Sequence, residues 1–193
     1  MNYEAEFAIV DLILASDFET RGVDAFSLCV LKMERQMRRL FTHLVYQCPD
    51  FNAGDVPELI KVLSDNKKIY FRHFIAGIDS IYSKTVSDIY GATYQDSLRN
   101  VEEALSVRNK VFHGQLTGNG LSREELLAMV LNIRCWCSTL AASFLSEYGY
   151  DGFARDSFQK SKHQEVFKEI SWPFSGTQEY ESYLGELSKC KKA

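Results

Sequence analysis

Apolar residues recur at the spacing of an α-helix along most of this chain, and this periodicity limits the fold more than any other feature. Residues three or four positions apart lie on one face of a helix. The segment 23–48 therefore predicts one long helix with a buried stripe, formed by Phe26, Val30, Met33, Met37, Leu40, Phe41 and Leu44. No alternation of apolar and polar residues is long enough to predict a strand. We expect an all-α protein.

Turn and capping residues divide the chain into six helices and a different C-terminal segment. We predict helices over residues 4–19, 23–48, 56–65, 66–90 and 95–113, and a sixth that ends near residue 148. The sixth begins at a capping box, Ser122-Arg123-Glu124-Glu125. We expect residues 1–149 to form a helical bundle. Residues 150–193 should form an aromatic-rich helical extension that packs on the bundle or on a partner.

Composition narrows the class of protein. No run of eighteen apolar residues exists, and the first residues lack the basic region of a signal peptide, so we expect a soluble, cytoplasmic protein that does not enter a membrane. The net charge of −4 argues against a protein that binds nucleic acid through bulk electrostatics. The five cysteines match neither a redox pair nor a zinc site, and we expect them to be reduced, with no metal and no cofactor.

The segment Arg108-Asn109-Lys110-Val111-Phe112-His113-Gly114 places a cation where a helix should be apolar. At about 100° per residue, five apolar residues fall within roughly 60° of Arg108, namely Val101, Ala104, Leu105, Val111 and Phe112. A buried guanidinium requires an anion, and its fork geometry suits phosphate or carboxylate. His113 adds a side chain suited to proton transfer near neutral pH. Alternatively, Arg108 pairs with a buried glutamate such as Glu34, and His113 caps the helix C-terminus.

The bare spacing of Arg and His is not specific, because it also occurs at Arg38 and His43. That copy lacks the Asn, and its two residues fall on opposite flanks of the stripe of the 23–48 helix, so we interpret them as flank residues. In an unbroken helix Arg108 and His113 diverge by about 140°. They can converge only if the last turn frays at Gly114 or if a second copy of the chain faces the first.

The pattern Arg-Asn-x-x-x-His resembles the signature of the HEPN superfamily, small all-α domains of which many are metal-independent endoribonucleases in toxin and antiviral systems. The resemblance covers the motif helix and, more loosely, residues 1–150. It implies cleavage of RNA by attack of its own 2′-hydroxyl group, with no cofactor. His113 would then move a proton, Arg108 would stabilise the transition state, and Asn109 would orient His113 or the phosphate. It also implies a homodimer in which the two motif helices face each other.

Further expectations concern RNA contacts and partners. Besides the motif, we expect Lys110, Arg72, His73 and Arg38 to contact RNA, and an antitoxin or regulatory partner to restrain the enzyme. Some HEPN toxins carry a tyrosine two residues after the histidine, which a partner nucleotidyltransferase modifies; this chain has Gln115 there, so that route is not expected. Two alternatives remain: a non-catalytic HEPN module that binds a nucleotide or a protein as a regulator, and a helical adaptor whose aromatic C-terminal segment docks on a partner.

Overall fold

Helices form most of the chain in the computed structural model, which describes residues 2–112, 121–154, 157–161, 164–171 and 174–190. Within these ranges there is no strand, only an isolated bridge between Tyr82 and Ile170. The prediction of an all-α protein is therefore confirmed. The helices are α1 (Tyr3–Ala15), α2 (Arg21–Gln47), α3 (Val56–Asp65), α4 (Phe71–Ile81), α5 (Val86–Tyr90), α6 (Tyr94–Phe112), α7 (Arg123–Tyr148) and α8 (Thr177–Leu187), with a 3₁₀ helix at Gln164–Glu169.

Helix α2 lies at the centre of the bundle and packs against α1, α4, α6 and α7. All seven residues of its predicted stripe are buried. Burying each such side chain contributes roughly 1.5–3 kcal/mol relative to leaving it exposed. One flank of α2 beside this stripe is also covered, since Cys29, Gln36 and Gln47 are fully buried. The helix is therefore enclosed on more than the one face that its stripe predicts.

Helix α7 is the second core element and packs against α2, α5 and α6. By length and composition alone it could cross a membrane. Core helices of bundles pass the same test, and here the fully buried Trp136 of α7 stacks on Tyr90 and lies against Tyr94. The predicted start of this helix is confirmed, because the Ser122 side chain accepts a hydrogen bond from the Glu125 backbone N–H, and the Glu125 carboxylate accepts one from the Ser122 N–H.

The predicted helix 66–90 is wrong, because the structure has two shorter helices there. Helix α4 begins only at Phe71 and ends at Ile81, and α5 follows at Val86. Two long-range interactions interrupt the helix: Tyr82 bridges to Ile170, and the Ser83 N–H donates to the carbonyl of Glu169. The chain then restarts as α5 because Thr85 caps it. The end of α4 depends on residues so distant in the sequence that it leaves no local signal, whereas the capping box of Thr85 and Asp88 was a local signal for the start of α5.

The C-terminal extension runs alongside α2 in the structure, and polar side chains of that helix hold it there. Four α2 side chains at successive turns contact extension carbonyls: Gln36 with Asp151, Arg39 with Phe153 and Ala154, His43 with Ser157, and Gln47 with Gln159. Further along, α8 packs against α3 and α4. His43 is therefore buried beneath the extension rather than solvated at a helix flank, whereas Arg38 is exposed as a flank residue should be.

Candidate functional site

Arg108 is positioned by α6, whose buried face includes Leu98, Val101 and Ala104. The arginine lies on the same face, as predicted, and its side chain remains 26% exposed. Its Nη2 donates a hydrogen bond to Oε1 of Glu34 on α2, and the two form an ion pair. Glu34 is the carboxylate that the sequence offered as the alternative partner to a phosphate. The structure therefore shows a local anion for Arg108 inside the protein.

The Arg108–Glu34 pair leaves most of the guanidinium's hydrogen-bonding capacity unused. A guanidinium has several N–H donors, and among the described residues only Glu34 accepts from Arg108. The Nε atom is buried and has no partner there. The pKa of Glu34 is raised by burial, which outweighs the opposing effects of the charge and hydrogen bond of Arg108 and the charge of Arg38. The pair is thus a partly desolvated one in which the carboxylate takes up a proton more readily than in water.

The Arg108 groove is a cavity of about 690 Å³ between α2, the start of α4 and the end of α6. It brings together four of the predicted site residues: Arg108 and Asn109 from α6, and Arg72 and His73 from α4. Its other lining residues are Glu34, Tyr70, Phe71, Glu102, Leu105 and Ser106. The groove thus combines two cations, an amide and an imidazole with the exposed ring of Tyr70, a set suited to phosphates and bases.

A second ion pair divides the groove from a neighbouring cavity. Arg72 on α4 pairs with Glu102 on α6 through its Nε atom. On the far side lies a cavity of about 420 Å³, which shares Arg72, His73 and Glu102 with the Arg108 groove and is also lined by Arg99. In the groove itself two arginines therefore face two glutamates. The local charge is balanced, and an anionic ligand has to compete with carboxylates.

His73 has a structural role as well as a place in the groove. Its side chain is buried, and its Nδ1 accepts a hydrogen bond from the Tyr70 backbone N–H at 3.1 Å. This bond satisfies a backbone donor at the start of α4 and completes the capping interaction there. The sequence suggested His73 only as a candidate RNA contact, and the capping role was missed. No sequence signal indicated this role, because tyrosine is not a usual capping residue and the helix was expected to begin at residue 66.

The remaining predicted residues are not brought into the groove. Lys110 is exposed on α6, and neither described cavity next to Arg108 includes it among its lining residues. Arg38 is exposed, and its guanidinium carbon lies 5.6 Å from the ring centre of Phe74. His113 and Gln115 lie outside the described residues. The structure therefore gives the positions of Arg108 and Asn109 but not the geometry of the complete motif.

Among the described residues no group of three or more His, Cys, Asp or Glu side chains is arranged to hold a metal ion. The five cysteines are free thiols, and burial raises the pKa of Cys29 to about 12, so this thiol is a poor nucleophile. In comparisons with known proteins, no family model, no curated protein and no solved structure matches this chain. Functional inference therefore rests on the motif and on the groove.

Proposed function

We propose that this chain is a HEPN-type, metal-independent endoribonuclease that acts in the cytoplasm as a toxin or defence effector. The observation that carries the proposal is Arg108, a guanidinium on the buried face of α6 beside Asn109, which lines an open groove and leaves most of its N–H donors unused. The same arginine begins the pattern Arg-Asn-x-x-x-His. A guanidinium placed in this way is suited to a phosphodiester.

In the proposed reaction the RNA supplies its own nucleophile. The 2′-oxygen forms a bond to phosphorus, the bond from phosphorus to the 5′-oxygen breaks, and the products are a 2′,3′-cyclic phosphate and a 5′-hydroxyl. One proton leaves the 2′-hydroxyl and one reaches the 5′-oxygen. His113 moves a proton, and Arg108 stabilises the charge that builds on the phosphoryl oxygens. Asn109 orients His113 or the phosphate by a hydrogen bond.

Glu34 determines how Arg108 becomes available to the phosphate. In the absence of RNA the carboxylate holds the guanidinium in position. Burial already disfavours the charged form of Glu34, which is why its pKa is raised. A phosphate that binds Arg108 replaces this carboxylate as the counter-ion or shares the guanidinium with it through the unused N–H donors. The ion pair therefore preorganises the arginine without consuming it.

The proposed active enzyme is a homodimer with the motif helices at its interface. Within one unbroken helix Arg108 and His113 diverge by about 140°, so a second chain is the simplest way to bring both to one phosphate. Asn109 and Lys110 are exposed at the end of α6, as residues of such an interface would be in a single chain. An antitoxin or regulatory partner restrains the enzyme, and Gln115 makes a tyrosine-modifying antitoxin an unsuitable candidate.

The direct test is RNA cleavage by the purified protein in EDTA. The parent should cut single-stranded RNA and leave 5′-hydroxyl ends. His113→Ala should slow cleavage by roughly 10²–10⁴-fold, the usual effect of removing a proton-transfer group. Lys61→Ala, which removes an exposed cation on α3, serves as the control and should cut like the parent. Cleavage that EDTA abolishes and a divalent metal restores would refute the mechanism. A parent that binds nucleotides but never cuts RNA would favour the regulatory module instead.

A further inference from the structure

The fold explains the position of only one of the two ring nitrogens of His73, a residue that lines the groove. It is 7% exposed, and it lines both the Arg108 groove and the neighbouring cavity. One ring nitrogen caps α4. The other, Nε2, makes no hydrogen bond with a described residue, and it is not fully buried. This nitrogen therefore keeps contact with solvent, in the region where the Arg108 groove and the neighbouring cavity meet at His73.

The capping bond also determines which ring nitrogen carries the proton. A backbone N–H can only donate, so Nδ1 must present a lone pair to the Tyr70 amide. The proton of the neutral imidazole is then on Nε2. The side chain is held by this bond and by its burial, so it presents a fixed N–H donor to the cavities that it lines. A donor held in this way requires an acceptor, and no described residue supplies one.

Several N–H donors near His73 make no hydrogen bond with a described residue. Arg72 precedes His73 and uses its Nε atom for Glu102, while its two terminal nitrogens make no hydrogen bond with a described residue. Arg108 faces the same groove with unused donors. Both Arg72 and His73 lie in the first turn of α4, where the helix dipole favours negative charge. A strand with several phosphate groups offers acceptors to all of these donors.

We propose that His73 is a phosphodiester-binding residue, and that with Arg72 it holds a phosphate of single-stranded RNA next to the phosphate bound at Arg108. The Nε2–H donates to a non-bridging phosphate oxygen, and Arg72 supplies the charge. This inference rests on the proposed function, because it names a second contact to the same substrate. His73 does not move a proton in this role. It positions the strand, so that the scissile phosphate meets Arg108.

The substitution His73→Asn separates binding from capping. An asparagine side chain has the length of that of Asp88, whose carboxylate accepts the Thr85 N–H from the equivalent third position of α5 at 2.9 Å. The substituted side chain would therefore keep the cap, while its shorter amide places no N–H donor at the position of Nε2. The probe is a hexanucleotide of 2′-O-methyl RNA, which has no free 2′-hydroxyl and cannot be cleaved. We expect H73N to keep the melting temperature of the parent and to bind the probe roughly tenfold more weakly.

The outcomes distinguish a failure of the subsite proposal from a failure of the proposed function. If the parent binds the probe and H73N binds it equally well, the subsite is refuted and the proposed function stands. If the parent does not bind the probe, the proposed function fails and the subsite with it. Lys61→Ala should bind like the parent. If H73N does not fold, ¹⁵N-labelled parent protein gives the answer: the Nε2 resonance of His73 should shift when the probe is added, and an unchanged resonance would refute the contact.

Discussion

A single carboxylate, that of Glu34, balances the guanidinium of Arg108, and the guanidinium opposes the effect of burial on the ionisation of that carboxylate. Burial raises the pKa of Glu34, while the charge and hydrogen bond of Arg108 lower it. Because the net shift is upward, the folded protein binds a proton at Glu34 at a higher pH than the unfolded chain. This residue therefore costs stability as the pH rises from the unfolded-state value of about 4.5 through the folded-state value.

Arg108→Ala should move the pKa of Glu34 further upward. The substitution removes both the nearest opposing charge and the hydrogen bond to the carboxylate, and leaves burial as the dominant effect. NMR titration of the Glu34 carboxyl carbon measures the change. The loss of unfolding free energy should also be larger at neutral pH than near pH 4, where the carboxyl group is protonated in both variants.

Arg35→Ala provides the matched control for this titration. Arg35 is the neighbour of Glu34 in sequence, but it pairs with Glu6 on α1 and has an exposed side chain. Its removal should leave the Glu34 titration unchanged. An unchanged Glu34 pKa in Arg108→Ala would show that the ion pair does not persist in solution.

At the scale of elements, the contact between α2 and α4 depends on Gly77. A Cβ atom at this position would lie 2.6 Å from Cε2 of Phe41, whose ring is fully buried, and 3.2 Å from Cδ2 of Leu187 on α8. Gly77→Ala should therefore force α4 away from its neighbours and lower the unfolding free energy by roughly 1–3 kcal/mol. Urea denaturation measures the change.

Gly185 is the control, since it lies in α8 and a Cβ atom there meets nothing within 4 Å. Gly185→Ala should raise the unfolding free energy by about 0.5–1 kcal/mol, because alanine has the higher helix propensity. If the two substitutions had the same effect, the close packing of α4 on Phe41 and Leu187 would be contradicted.

The helices that the sequence predicted well are those with local signals. The stripe of α2 and the capping box of α7 lie within the segments they define, and both are found where expected. The capping box of Thr85 and Asp88 was an overlooked local signal for the start of α5, but the end of α4 was missed because it depends on the pairing of Tyr82 with Ile170. The burial of His43 was missed for the same reason, since the extension that covers it is far away in the sequence.

At the scale of the whole molecule, the candidate site was predictable only in part. The placement of Arg108 on the apolar face of its helix and the choice of Glu34 as a possible partner came from the sequence, and the structure shows the pair. The sequence spacing could not show that Arg72 and His73 share a groove with Arg108. This arrangement depends on how α4 and α6 pack around α2. The Arg72–Glu102 pair joins two different helices and has no local signature.

The central claim is that Arg108 of one chain and His113 of a second chain cleave RNA together, and it is tested most directly by mixing two inactive variants. Purified Arg108→Ala and His113→Ala are combined in equal amounts, allowed to exchange subunits, and assayed for RNA cleavage in EDTA beside the parent. We expect each variant alone to be inactive. The mixture should recover about a quarter of the parent rate, because half of the dimers are mixed and each mixed dimer holds one intact site. A mixture as inactive as its components, beside a parent that cuts RNA, would contradict the shared site, and a parent that does not cut RNA would contradict the whole account.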